Sequence, residues 1–350
     1  MSRLSRRKIL ATCFALGTMW IVSILLSLSV GSVSIRPGKA LRLIENLILG
    51  QASEDAAAEA ILFSVRLPRV LLGSLVGSAL ALAGASFQSL LRNPLADPFV
   101  LGVSTGASFG TIVFSIAVSA LGFAGFGGAL SYARPVAAFT CAVGTVALVY
   151  LLSGGGDRAG EASQRLLLAG VVLASFISSL NVFLLTITNQ ADLRGIFYWL
   201  IGDLSRPVDA AIYPVTFIVL AGFILLYLFS YKLNLISMGE EEATLLGVDV
   251  PRAKLGVYIV ASLITGAVVS ISGPIAYIGL ICPHMGRLMV GSDNRILFPV
   301  VVLFGAIFTS FADTLARTIL SPAELPVGVV TAFCGAPLFI YLLRRKGGGA

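Results

Sequence analysis

Ten runs of mostly apolar residues divide the sequence at approximately 9–30, 66–91, 98–118, 135–152, 165–187, 210–231, 253–272, 275–291, 296–316 and 327–343. Each is close to the roughly 20 residues that an α-helix needs to cross a hydrocarbon layer. A water-soluble fold of 350 residues could not bury so much apolar surface. Charged residues make up 12% of the chain, about half of the roughly 25% usual in soluble domains, and mean hydropathy is +0.97. The pattern predicts an all-α polytopic membrane protein with about ten transmembrane helices, filling residues 1–350 as one domain. It excludes a soluble enzyme, a nucleic-acid-binding domain and a disulfide scaffold. The net charge of +7 does not argue for nucleic acid, because the basic residues punctuate the apolar runs and form no continuous stripe.

An even number of spans puts both termini on one side. The termini and the loops on their side hold 15 of the 24 basic residues and the opposite loops hold 9, so both termini are expected in the cytoplasm. The first apolar run follows Arg3, Arg6, Arg7 and Lys8 and is too long for the apolar region of a secretory signal, so it reads as an uncleaved first helix. The longest outward loop, about 31–65, ends in an acidic, alanine-rich stretch from Glu54 to Ala60 that reads as a short surface helix. The eighth span is entered through Ser272-Gly273-Pro274, a break that needs protein or water to satisfy its backbone groups. Gly73 with Gly77, and Gly102, Gly106 and Gly110, have the spacing that brings helix backbones together. Cys13, Cys141, Cys282 and Cys334 each stand alone in apolar sequence, as small buried hydrophobes, and no metal site is expected.

Three kinds of chemistry can be weighed. Gly102-Val103-Ser104-Thr105-Gly106 fits the G-x-S-x-G pattern of serine hydrolases, and His284 is the single histidine available as a base. An intramembrane serine protease using Ser104 and His284 is therefore one reading, but a short pattern in a glycine- and serine-rich chain arises readily by chance. An ion carrier would place ionisable residues at mid-membrane. Here Asp313 and Arg317, four apart near the outer end of the ninth span, read as a structural ion pair. The glycine-rich loop from Gly154 to Gly160 lacks the G-K-[ST] ending of a phosphate-binding loop, so any ATP is bound by another chain.

Two charged segments carry more. On the cytoplasmic side, about 238–250, Glu240, Glu241 and Glu242 precede Ala243-Thr244-Leu245-Leu246-Gly247, a pattern suited to a short amphipathic helix for a cytoplasmic partner or to a solvated acidic loop. On the outer side Arg66-Leu67-Pro68-Arg69 opens the second span and Arg317 ends the ninth. These arginines either snorkel to headgroups or form a fixed cluster that receives carboxylates from a soluble partner.

Taken in order, these segments resemble the permease subunits of bacterial type II ABC importers for iron–siderophore complexes, haem and cobalamin. The resemblance covers nearly the whole chain after the first helix. It is carried by Arg66-Leu67-Pro68-Arg69, Gly84-x-x-x-Gln88, Asn93-Pro94-Leu95-Ala96-Asp97-Pro98, Leu166-Leu167-Leu168-Ala169-Gly170 and Gly239-Glu240-x-x-Ala243-x-x-Leu246-Gly247. It continues through Gly279-Leu280-x-x-Pro283-His284-x-x-Arg287, Ala312-Asp313-x-x-Ala316-Arg317 and Glu324-Leu325-Pro326-Val327-Gly328.

The resemblance implies a homodimer in the bacterial inner membrane with the substrate path between its subunits. Two copies of an ABC ATPase are expected below and a periplasmic binding protein above. The permease itself is expected to hold no cofactor or metal, and ATP with Mg belongs to the ATPase. Arg66, Arg69 and Arg317 match arginines that receive glutamates of the binding protein. Gly239, Glu240, Ala243, Leu246 and Gly247 match the coupling segment. Asn93 and Leu95, and Ser163 and Gln164, align with two cytoplasmic constrictions of the cobalamin permease, the second pair with different residue types. The implied cargo is an iron chelate, siderophore or haem, with a corrinoid as the alternative. Ser104 and His284 become structural residues under this reading.

Overall fold

The computed structural model describes residues 6–31, 33–51, 55–121, 127–154, 161–188, 190–205 and 211–347, with side chains described except at 6–9, 127–131, 161–163, 190–192 and 341–347. Fourteen α-helices appear among them. In chain order they are α1 (Arg6–Ser29), α2 (Pro37–Leu49), α3 (Ala56–Ala60), α4 (Leu67–Leu90), α5 (Val103–Leu121), α6 (Gly127–Leu152) and α7 (Glu161–Thr186). Then follow α8 (Gln190–Ile201), α9 (Ile212–Met238), α10 (Glu240–Leu245), α11 (Val250–Ser272), α12 (Ile278–Val290), α13 (Asn294–Thr318) and α14 (Val327–Gly347).

Ten of these helices fall on the ten apolar runs. Eight are long and apolar enough to cross a membrane, and α12 and α14 are shorter apolar helices. The remaining four, α2, α3, α8 and α10, are connectors. Contacts bring the end of α1, the start of α4, the end of α13, the loop before α14 and the connectors α2, α3 and α8 together at one end, here the far end, and the ends of α4 and α9 with α10 and the starts of α11 and α13 at the other, here the terminal end.

The core joins α4, α11 and α13 at the centre with α1, α5, α6, α9, α12 and α14 around them. Helices in lipid gain little from apolar attraction and associate through close packing of small residues. The α4–α13 crossing shows this directly: a Cβ on Gly77 would lie 2.2 Å from the Gly305 carbonyl oxygen, and one on Gly305 would lie 2.3 Å from that of Gly77. The glycine spacing read from the sequence is thus used for contact between backbones. By contrast α7 and α9 leave wide apolar faces open, among them Val172, Phe176 and Phe183 on α7 and Phe217, Ile224 and Leu228 on α9. Such faces are stable only against lipid or another chain.

Three expectations need correction. The second span does not open at Arg66: helical backbone runs from Ala56 to Leu90, 35 residues, through a widened π-helical turn at Ile61–Arg66. Pro68 has no N–H to give and its ring crowds the preceding turn, and the widened turn accommodates it. The sixth span continues to Met238, past the end of the apolar run, because Leu233 and Ile236 remain buried and Asn234 is bonded to Asp293 in the α12–α13 connection. Of the four cysteines only Cys282 is buried; Cys13 and Cys141 are partly covered and Cys334 is exposed in the isolated chain. The break at Ser272-Gly273-Pro274 is where expected, with Gly273 at φ +67° and the chain re-entering a helix at Ile278.

Candidate docking and gating sites

At the far end the three arginines converge, and all are inside the protein: Arg66, Arg69 and Arg317 are 3%, 6% and 5% exposed. The longer second helix explains this, since Arg66 lies ten residues from its start, beneath the segment that leaves α1. Arg66 Nη1 donates to the Leu28 carbonyl at 2.6 Å and Nη2 to that of Val33. Gly31 makes room for this, because a Cβ there would sit 2.7 Å from Arg66 Nη2.

Asp313 is the centre of the cluster. Its carboxylate accepts from Arg69 Nε at 3.0 and 3.1 Å, lies 2.9 Å from Arg69 Nη2, and pairs with Arg317 Nε at 3.1 Å. The i,i+4 pair expected from the sequence is therefore present, and Arg69 joins it. Arg317 also donates to the Ser27 carbonyl at 3.2 Å. Arg69 Nη1 donates to Glu324 Oε2 at 2.7 Å. Glu324, with 42% of its side chain exposed, is where the cluster meets the surface. In the sequence Glu324 stands in a motif with no assigned role, and its one signal is that it is a carboxylate eleven residues beyond Asp313 on a loop returning to the same end.

At the terminal end the expected short helix is α10. Ala243 is fully buried against Ile236, Val248, Val250 and Ala253. The opposite face presents Glu241, Glu242, Leu245 and Leu246, with Leu245 87% exposed. Gly247 ends the helix at φ +84°, while Val248 N–H donates to the Ala243 carbonyl and Gly247 N–H to that of Thr244, a Schellman closure that needs a left-handed residue. Glu240 differs from its acidic neighbours. It is mostly covered, 2.5 Å from Lys254 Nζ and 3.9 Å from Arg92 Nη2.

The loop after α4 is folded on itself. Leu95 N–H donates to Asn93 Oδ1 at 2.9 Å, Asn93 N–H to the Gln88 carbonyl at 3.2 Å, and Phe99 N–H to Asp97 Oδ1 at 2.8 Å. Leu95 stands exposed. Gln164 is also exposed, on the first turn of α7; the Ser163 side chain lies outside the described residues. Nearby, Asp293 caps α13, accepting from Arg295 N–H at 3.0 Å and from Asn234 Nδ2 at 2.6 Å. The Arg295 guanidinium, hydrogen-bonded to it, holds its carboxyl below the usual carboxylate range.

Ser104 and His284 lie on helices with different neighbours. Ser104 is on α5, packed on α6 and α7; His284 is on α12, packed on α4 and α13. Gly106 of the G-x-S-x-G match is taken up by packing, since a Cβ there would sit 2.2 Å from Thr145 Oγ1. Among the described residues no group of three or more His, Cys, Asp or Glu could hold a metal ion.

Residues 19–345 match the FecCD transport family. The chain is 40% identical over 297 residues to the cobalamin import system permease protein BtuC of Halobacterium salinarum, covering 83% of this chain and 74% of that protein. It is 38% identical over 290 residues to the Fe(3+) dicitrate transport system permease protein FecC of Escherichia coli K12, covering 83% and 84%. A solved metal-chelate type ABC transporter in an inward-facing conformation superposes with a TM-score of 0.81 at 30% identity, over 95% of this chain and 98% of that one. The helix count, the paired ends of the bundle and these matches agree: the chain is a multi-pass ABC transporter permease of the FecCD transport family.

Proposed function

We propose that this permease carries an iron chelate, a siderophore complex or haem, across the bacterial inner membrane, with both termini in the cytoplasm and the whole chain acting as one permease domain. The observation that supports it most is the α10 element: a short helix anchored by buried Ala243 that turns two glutamates and two leucines outward. That is the form of a docking knob, which supports its engagement by a groove of a separate ATPase. ATP and Mg belong to that ATPase, and the permease binds no cofactor. Two permease copies, two ATPases and one periplasmic binding protein complete the importer, and the open faces of α7 and α9 supply the surfaces for lipid and for the second copy.

Under this reading Gly239, Glu240, Ala243, Leu246 and Gly247 form the coupling segment. Asn93 and Leu95, with Ser163 and Gln164, narrow the cytoplasmic exit. Arg66, Arg69 and Arg317 make the docking end for the binding protein. Their guanidinium groups are already paired within the chain, so a docking carboxylate exchanges with Glu324 on Arg69. The rocking of two subunits then passes the cargo down a channel without strong binding groups.

Iron is preferred because it is the broader substrate group of the resemblance, and the Fe(3+) dicitrate permease and the metal-chelate transporter point the same way. The 40% identity to a cobalamin permease supports a corrinoid as the second reading. Uptake of labelled ferric siderophores, haem and cobalamin, measured in the native host with the gene deleted and restored, separates them. Loss of one iron complex alone supports the proposal. Loss of cobalamin alone moves the cargo to the corrinoids, and loss of neither, in a host with no second system, refutes the importer reading.

A further inference from the structure

Glu240 is the single acidic residue of its triad that faces inward, and it meets cations from two different elements: Lys254 of α11 at 2.5 Å and Arg92, in the loop after α4, at 3.9 Å. Arg92 is unusual in its backbone. Its φ of +50° is left-handed, one of two such non-glycine residues among those described. A bulky residue adopts that conformation only where its surroundings fix it. Here the loop supplies the constraint, since Asn93 is bonded back to Gln88 and its side chain closes the turn onto Leu95.

Gln88 in turn is held at both ends. Its Nε2 donates to the Gly279 carbonyl at 3.1 Å, and its Oε1 accepts from Arg287 Nη1. The segment from Gln88 to Leu95 is thus tied into α4 and α12 at its root, and Arg92, two residues past the end of α4, carries the guanidinium that reaches α10. Chains of hydrogen bonds and ion pairs between elements that can change arrangement are one way coupling is carried between sites.

We infer that Arg92 is a positioning residue that links α10 to the exit loop: its pairing with Glu240 makes Asn93 and Leu95 follow the coupling segment when the ATPase moves it. The inference rests on the proposed roles of α10 and of the Asn93–Leu95 turn. Arg92 itself touches neither the ATPase nor the cargo in this account, and Lys254 keeps Glu240 in place when Arg92 is changed.

The test uses the assembled complex with its ATPase, in a background with Cys13, Cys141, Cys282 and Cys334 replaced by Ala and Leu95→Cys as reporter. Labelling by a fluorescent maleimide is timed without nucleotide and in the ATP–vanadate state. The two rates are expected to differ by about fivefold or more with Arg92 present. In Arg92→Gln that ratio falls toward one while ATPase association and hydrolysis persist, and Arg92→Lys, which keeps the charge, retains it. An Arg92→Gln protein with the unaltered ratio overturns the inference. So does one that loses the ATPase, because Arg92 would then serve assembly. If the reporter shows no difference even with Arg92 intact, the gate assignment of Leu95 fails, and the link falls with it.

Discussion

The two charged ends of this molecule are built in opposite ways. At the far end Arg69, Arg317, Asp313 and Glu324 form an ion-pair network that faces inward, Arg66 lies buried beside it on two backbone carbonyls, and Glu324 alone of these reaches solvent to any extent. At the terminal end α10 keeps one glutamate for internal pairing and turns the other two, with Leu245 and Leu246, outward. Both segments are motifs of charged residues at helix ends, and spacing alone treats them alike. Burial separates them: an uncompensated charge inside is severely destabilising, whereas an exposed one contributes little to the fold and is available to a partner. The far end therefore carries stability as well as any docking role, and the exposed face of α10 is the one left free for the proposed association.

Breaking the centre of the far cluster has the largest expected effect. Asp313→Ala leaves Arg69 and Arg317 buried without their shared carboxylate, at a cost of about 3–5 kcal/mol. The protein should fail to yield a monodisperse species on size-exclusion after solubilisation; a normal yield and melting temperature would remove Asp313 from the centre of the network. Gly77→Val comes next, because its Cβ meets the Gly305 backbone, which cannot swing aside. Overpacking of about 1–3 kcal/mol is expected, read as a lower melting temperature in the same detergent.

Glu324→Gln sharpens the comparison more gently. Its side chain is 42% exposed, so the loss of stability should be about 1 kcal/mol or less. The same change removes the carboxylate charge that competes for Arg69 Nη1, so affinity for the binding protein should rise; unchanged affinity would take Glu324 out of the docking exchange. At the terminal end, Glu241→Gln with Glu242→Gln should leave the melting temperature of the permease where it was and weaken retention of the ATPase.

The smallest effect concerns Asp293. Its folded-state carboxyl titrates below the ordinary range, so its contribution is present above about pH 3.9 and fades as pH falls through its depressed value. Asp293→Asn should flatten the acid limb of a stability–pH curve, and an unaltered limb would mean the cap contributes nothing there.

The spans were legible because a lipid-crossing helix must be apolar along its length, and all ten runs became helices. The break at Gly273 was legible because a glycine followed by proline does not continue a helix, and Gly273 takes the left-handed φ that glycine favours. What the sequence hid was tertiary. The helix beginning at Ala56 is visible only once the turn before Pro68 is seen to be widened, and that shift carries Arg66 and Arg69 from a helix mouth to the interior. Helix α8 was also hidden: it is short for a span, and its fully buried Trp199 packs at the Gly273 break, far along the sequence. Arg92 looked like one loop charge among many, because its partner lies about 150 residues away on α10.

The central claim is that the outward face of α10 is where a separate ATPase engages this permease. The direct measurement is co-purification from the native host of tagged wild-type chain beside a Leu245→Asp, Leu246→Asp variant, with the retained ATPase quantified and its hydrolysis assayed. The account predicts a stoichiometric ATPase on the wild type, and its loss from a variant that still elutes as a folded membrane protein. Equal retention and equal hydrolysis in the two would contradict it.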